Sequence, residues 1–228
     1  MPGLMKPSAD AQMRDFDVWV FDLDNTLYHA RYNLFSQVVQ RINQFVATAL
    51  ELDGAEARRL QTAYYHAHGS TLRGLMLLHG TDPDEFLDYV HDIDVTWLPP
   101  NGELDSALAR LNGRKVVFTS GSTDHADRVM RRLGVRHHIE AVFDIAAADY
   151  VPKPNPETYR RFVARHAIKP ERAIMFDDIA RNLEPAAALG MKTVWIRNDE
   201  PYGHEGAEGD HIHHVTDDLV AWLEENTG

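Results

Sequence analysis

Asp22 and Asp24 stand two residues apart directly behind the apolar run "VWVF". In extended backbone, residues two apart share a side, so both carboxylates can face one way while Leu23 turns into packing. Carboxylates this close raise one another's pKa unless positive charge intervenes. A divalent cation ligated by oxygen relieves the repulsion, and Mg²⁺ characteristically takes one or two carboxylates together with waters and substrate phosphate. A second acidic pair, Asp177 and Asp178, follows another apolar run in "IMFDDIARNL". Either pair alone also suits a solvated loop or a helix N-cap. Two of them, each behind an apolar run, point to a metal site.

Two further run ends add chemistry. "VVFTSGS" sets Thr119, Ser120 and Gly121 after a strand-like stretch, where hydroxyls and turn amides can hold phosphate oxygens; a turn leading into the next helix is the alternative. "YVPKPNPETY" places Lys153 between two prolines, which restrict the backbone and help aim an ammonium group; an exposed loop lysine is the alternative there. Together these residues supply a nucleophile, an acid/base, a phosphate anchor, a counter-cation and a metal site.

The elements that must position them follow from the hydrophobic pattern. Short apolar runs recur at 18–21, 115–120, 141–145, 173–176 and 192–196, most of them too short and too β-branched for helices. Helical patterns lie between them at 124–133, 156–167 and 182–189. This alternation predicts an α/β fold, a doubly wound parallel sheet covered on both faces. The stretch from 31 to 99 breaks the rhythm, with several helix-like runs and no strand-like one. In "LFSQVVQRINQFVATAL", Phe35, Val38, Val39, Ile42, Phe45 and Val46 share a helical face. The expected organisation is a flexible tail over 1–15, a catalytic core from 16–30 and 100–228, and an inserted helical cap over 31–99. Ligands of open α/β sheets bind beyond the carboxyl ends of the strands, so an insertion after the first strand can form a lid.

Composition excludes other classes. The 228 residues, 44% of them hydrophobic, can bury one domain with a substantial insertion. No window approaches the roughly 18 consecutive apolar residues of a membrane span, and the opening lacks the apolar core of a secretory signal, so a cytoplasmic protein with no membrane partner is expected. The absence of cysteine removes disulfides, thiolate nucleophiles and Cys-ligated zinc. A net charge of -12 argues against a nucleic-acid polymer as partner.

"DLDNT", "FTS", "KPNPETY" and "FDDIARNL", in that order, resemble the four signature motifs of the haloacid dehalogenase superfamily, across about residues 18 to 197. The helical insertion resembles that superfamily's helical cap. "FDLDNTLY", "YYHAHGSTLRGLM", the His125–Ala126 pair and "PERAIMFDDIARNL" further resemble the branch of pyrimidine 5'-nucleotidases. The resemblance implies that Asp22 attacks phosphorus to form an aspartyl-phosphate, which water later cleaves. It implies that Asp24 protonates the leaving alkoxide and then takes a proton from water. Thr119 and Lys153 would hold the phosphoryl oxygens. Mg²⁺ would be bound by Asp22, Asp178 and the main-chain carbonyl of Asp24. Asp177 would orient a metal-bound water or Lys153, and Thr26 would stabilise the turn after the nucleophile. Dehalogenases of this superfamily typically lack an acid at the Asp24 position, so its presence favours phosphoryl transfer. Ser120 stands where the nucleotidase branch usually has Asn, and Ile179 where Ser is frequent.

Substrate choice should reside in the cap, because the core offers every phosphomonoester the same anchor. Around the flexible Gly69, Tyr64, His68 and Thr71 are candidates to stack a base or read its edge, with Ser120 and Gly121 contacting substrate from the core. Packing of the cap interior or exposure to solvent is the alternative for these cap residues. His29 can face the site entrance or be a partly exposed turn residue. The expected partner is a small phosphorylated metabolite, a pyrimidine nucleoside 5'-monophosphate such as UMP or CMP, acted on by a monomer or homodimer. A sugar phosphate or phosphoglycolate is the alternative substrate, and a non-catalytic phosphate sensor the alternative function. The cluster His204, His211, His213 and His214 lacks zinc-site spacing and is expected to be loop and edge strand.

Overall fold

A computed structural model of the chain describes residues 16–227. The tail expected over 1–15 lies outside the described residues. Six parallel strands form one sheet: β1 (Val18–Phe21), β2 (Arg114–Phe118), β3 (Ala141–Phe143), β4 (Ala173–Asp177), β5 (Lys192–Ile196) and β6 (His214–Thr216). Their order is β3-β2-β1-β4-β5-β6. The chain winds outward from β1 to β3, then crosses back to β4 on the other side of β1. That reversal leaves a crevice at the carboxyl ends of β1 and β4, where open α/β sheets bind ligands.

Both faces of the sheet are covered, so its central strands are apolar throughout rather than alternating with polar residues. On one face Val18, Val20, Phe118, Phe143 and Met175 pack with Tyr159 and Phe162 of α7 (Pro156–Arg165) and Leu183 of α8 (Leu183–Leu189). On the other, Trp19, Phe21 and Phe176 meet Leu104 of α5 (Gly102–Arg110), Met130 of α6 (Thr123–Leu133) and Trp222 of α9 (Leu219–Thr227).

Side-chain hydrogen bonds set where strands stop. β3 ends at Phe143, two residues before the apolar run does, because the Asp144 carboxylate accepts from the backbone of Thr123 (3.0 Å) and Ala147 (2.8 Å). β2 ends at Phe118, where Thr119 Oγ1 turns back to accept from Gly121 N (2.9 Å). The sixth strand arises from the histidine-rich stretch and pairs with β5 as an edge.

Four α-helices occupy the segment between β1 and α5: α1 (Phe35–Ala49), α2 (Gly54–His68), α3 (Thr71–His79) and α4 (Pro83–His91). A capping box starts α2, with Asp53 accepting from Ala55 and Glu56 backbone N–H groups and Glu56 answering Asp53. Gly69 ends it with φ 81°, a conformation that costs glycine no Cβ clash. Leu23, Leu27 and Leu34 connect the sheet's apolar layer to Val38, Val46 and Phe86 in these helices, so both share one continuous core.

Candidate active site

Strand register builds the site. Phe21 of β1 pairs with Phe176 of β4, and Asp22 N donates to Phe176 O (2.9 Å), so Asp22 and Asp177 leave the sheet side by side. Lys153, in the loop before α7, reaches both: its Nζ lies 2.7 Å from Asp22 Oδ1 and 2.6 Å from Asp177 Oδ2. It also donates to Phe118 O at 3.0 Å. Both oxygens of Asp177 are engaged by protein donors. Its Oδ1 accepts from Ile179 N (3.0 Å) and Asn182 Nδ2 (2.9 Å), while the Tyr159 hydroxyl donates to the backbone carbonyl of Asn182.

Asp178 takes the opposite part. It lines the cavity beyond the strand ends with Asp22, whereas Asp177 does not. Its Oδ2 accepts the neutral Asn198 amide (3.1 Å), and its carbonyl accepts Trp195 Nε1 (2.9 Å). Burial pushes the Asp22 carboxyl up to about 7, opposed by Lys153 and reinforced by Asp177 and Asp24. Burial likewise raises Asp178 well above the ordinary carboxylate range, with Asp22 and Asp177 adding to it. Burial works against the Lys153 charge, but Asp177 and Asp22 outweigh it and raise the ammonium pKa.

Three buried carboxylates thus lie close together, two of them, Asp22 and Asp177, in contact with the Lys153 ammonium. Oxygens of Asp22, Asp177 and Asp178 lie within 4.8 Å of one another. A hard cation accepts such an all-oxygen donor set, so these residues fit Mg²⁺. With both Asp177 oxygens already used, Asp22 and Asp178 are the carboxylates free to hold it.

Asp24 is held separately. Asn25 adopts a left-handed backbone (φ 58°), which asparagine tolerates, and the turn brings the Tyr28 hydroxyl to donate to Asp24 Oδ1 at 2.7 Å. His125 Nε2, from α6, lies 2.9 Å from Oδ1 and 3.2 Å from Oδ2. Burial drives the Asp24 carboxyl upward, but His125 and Tyr28 outweigh it and hold it below the ordinary range. The His91 ring, at the end of α4, stacks on His125 with centroids 4.4 Å apart and planes 9° from parallel. Gly121 makes room for this pair: a Cβ there would stand 3.3 Å from His125 Cδ2 and 3.4 Å from His91 Nε2 and Thr119 Oγ1.

A cavity of about 360 Å³ opens above these groups and is lined by Asp22, Asp24, Thr119, Ser120, Lys153 and Asp178. Its far wall is apolar, from Phe35, Val38, Ile42, Phe86, Leu87 and Val90 of the helical segment. Gly121 and Thr71 also line it; Thr71 Oγ1 donates to Gln61 O (3.2 Å). Tyr64 and His68 stand off this wall. Adjacent helical residues point about 100° apart, so when Tyr65 faces the cavity Tyr64 faces α3, where its hydroxyl meets His79 Nε2 (2.6 Å). His68 packs edge-on to Tyr64 (5.8 Å). Tyr65 lies under the Arg181 guanidinium (4.7 Å) and edge-on to Tyr202 (5.0 Å), closing one side of the cavity. Thr26 is buried in the turn after Asp24; its N–H reaches Leu23 O (3.4 Å) while its hydroxyl has no partner among the described residues. His29 lines a separate recess of about 500 Å³ that touches Asn25 and Thr26 but not Asp22.

Local sequence gives no site role to the carboxylates' partners His125, Tyr28, Asn182 and Asn198, nor to His91, which stacks on His125. Tyr28 lies four residues past Asp24 in a non-helical turn whose left-handed Asn25 brings it back to the carboxylate. His91 and Asn198 carry no local signal, since only the fold brings them in.

The sequence model of the haloacid dehalogenase-like hydrolases matches residues 16–190. The chain belongs to that family. Among curated relatives of this haloacid dehalogenase-like chain, phosphate metabolism protein 8 of Saccharomyces cerevisiae is 27% identical over 206 residues, 82% of this chain and 63% of that protein. Fructose-1-phosphate phosphatase YqaB of Escherichia coli is 32% identical over 90 residues, 38% of this chain and 46% of that protein. The matched stretches span less than two thirds of either relative. The fold is shared with a HAD phosphatase from Thermococcus onnurineus (TM-score 0.62, 17% identity, 92% of this chain and 97% of that one). It is also shared with CbbY from Rhodobacter sphaeroides in complex with phosphate (TM-score 0.61, 18% identity, 90% and 95% covered). No helix among the described residues is long and apolar enough to cross a membrane.

Proposed function

We propose that this haloacid dehalogenase-like chain is a Mg²⁺-dependent phosphomonoester hydrolase working through an aspartyl-phosphate on Asp22, with residues 31–99 as a cap over the core. The observation that carries the proposal is the Asp22–Lys153 contact of 2.7 Å at the floor of a cavity that Asp24, Thr119 and Asp178 also line. Asp22 attacks phosphorus, and Asp24, ionised in the free site by its contacts with His125 and Tyr28, takes up a proton as the negative charge of the arriving phosphate raises its pKa and gives that proton to the departing alkoxide. Lys153 and Thr119 hold the phosphoryl oxygens as charge builds on them. Asp24 then takes a proton from the water that cleaves the acyl phosphate. Asp177, its oxygens committed to Lys153, Asn182 and Ile179, keeps the ammonium in place. Mg²⁺, held by Asp22, Asp178 and the Asp24 carbonyl, supplies positive charge to the phosphoryl group when bound.

The proposed substrate is a pyrimidine nucleoside 5'-monophosphate. The apolar far wall and the Tyr65–Arg181–Tyr202 side support it, because a planar base buries well against apolar and aromatic groups. A phosphorylated sugar would leave more hydroxyls unpaired there. The sugar-phosphate alternative draws support from the name of YqaB and from the structure of CbbY with xylulose-(1,5)bisphosphate. Comparing kcat/KM for UMP, CMP, AMP, GMP and a panel of sugar phosphates in Mg²⁺ decides between them. A purine or sugar phosphate ahead by about tenfold, roughly 1.4 kcal/mol, removes the pyrimidine assignment. Absence of phosphate release from every compound, including p-nitrophenyl phosphate, removes the hydrolase.

A further inference from the structure

His125 is fully buried on the first turn of α6, and among the described residues its ring makes one hydrogen-bonded contact, with Asp24. Nδ1 is sealed from water with no partner among the described residues. Burying an imidazole with one nitrogen unsatisfied costs free energy, and core packing alone would be served by an apolar side chain of similar size. Its position is set from several sides. The Ser122 hydroxyl caps α6 by accepting His125 N (3.3 Å) and lies 2.9 Å from His91 Nδ1. His91 covers one face of the His125 ring in near-parallel stacking. Arg128 of α6 holds the chain just beyond α4, donating to His91 O (2.9 Å) and Ile93 O (2.6 Å). Gly121 lets the stack approach Thr119.

We infer that His125 is a positioning residue that fixes the Asp24 carboxylate for proton transfer, and that His91, from the helical segment, holds His125 in the orientation this requires. Tyr28 and His125 both reach Oδ1, at 2.7 and 2.9 Å, while Oδ2 has only the longer contact of 3.2 Å. The carboxylate cannot rotate without breaking both shorter bonds. Oδ2 is therefore the oxygen that carries the proton. The acid apparatus is completed by a ring from a helix inserted between β1 and β2, so the helical segment contributes to the chemistry of the core as well as to the cavity wall.

The inference rests on Asp24 acting as acid and base, and the test separates the two. Single-turnover rates are measured for UMP, whose alkoxide must be protonated, and for p-nitrophenyl phosphate, whose leaving group needs no proton. His125→Leu is expected to slow UMP by about tenfold or more while p-nitrophenyl phosphate changes less than about threefold. His125→Gln, which places an amide N–H near the Nε2 position, restores most of the UMP rate, and His91→Leu reproduces the selective loss more weakly. In an Asp24→Asn background, His125→Leu adds nothing further. Equal losses on both substrates in His125→Leu, with circular dichroism and urea unfolding confirming the fold, overturn the inference. If His125→Leu does not fold, a His125→Gln or His91→Leu protein that slows both substrates equally does the same. Asp24→Asn alone separates the two claims: a selective loss there without one in the histidine variants rejects only the positioning role, and an unselective loss rejects the role of Asp24 itself.

Discussion

Lys153 Nζ lies 2.6 Å from Asp177 Oδ2, and both groups are buried. The adjacent Asp178 instead lines the cavity. Two consecutive carboxylates therefore have different surroundings, and under the proposed function substitutions should divide them. Asp177→Ala is expected to lower kcat by about 10- to 100-fold through a displaced Lys153. Asp178→Ala is expected to weaken apparent Mg²⁺ affinity more than Asp177→Ala does. Activity titrated against Mg²⁺ gives both quantities, and unchanged affinity in Asp178→Ala refutes the ordering.

Asp22→Asn is nearly isosteric and leaves Lys153 paired with Asp177. Turnover should fall by about 10⁴-fold or more, as when nucleophiles are removed elsewhere, while the fold is retained. Residual turnover well above that level in a contamination-free preparation assigns the nucleophile to another group. Circular dichroism and urea unfolding check the fold.

Removing divalent metal should stop hydrolysis and adding Mg²⁺ should restore it, because Asp22, Asp178 and a substrate phosphate otherwise crowd negative charge into one site. Binding to the folded state also stabilises it, by about 2.7 kcal/mol at a hundredfold excess over Kd. Thermal unfolding with EDTA and with Mg²⁺ measures this without reference to activity. No rise in Tm under saturating Mg²⁺ contradicts the metal site.

The neighbours Tyr64 and Tyr65 should separate packing from recognition. A Cβ at Gly74 would sit 2.5 Å from Tyr64 Cγ, so Gly74→Ala is expected to cost about 1–3 kcal/mol of stability by forcing α2 and α3 apart. Tyr65→Ala should leave stability closer to wild type and raise KM for UMP by about tenfold, the loss of a modest stacking contact. Urea unfolding and steady-state kinetics on both variants suffice. A Tyr65→Ala enzyme with unchanged KM removes Tyr65 from the binding surface.

The order of apolar runs and helical patterns determined the doubly wound sheet, because fully buried parallel strands must be short and apolar and their crossovers helical. It also placed Asp22, Asp24, Thr119 and the Asp177–Asp178 pair at strand ends, since each directly follows such a run. The hydrophobic pattern alone does not say which carboxylate of the 177–178 pair faces the cavity; only the family resemblance implied it. That was decided by the register of β1 on β4, which sets Asp22 beside Asp177, and by Lys153, Asn182 and Ile179 occupying the Asp177 oxygens. The phase of α2 is a similar case. Tyr64 and Tyr65 are alike in type and adjacent in the chain, yet packing of α2 on α3 turns the first inward and leaves the second to the cavity. The contacts of Asp24 with His125, 101 residues away, and of His125 with His91 exist only because the chain returns to β1 from two directions. Strand ends are legible from short-range patterns, whereas partners drawn from distant elements are set by how those elements pack.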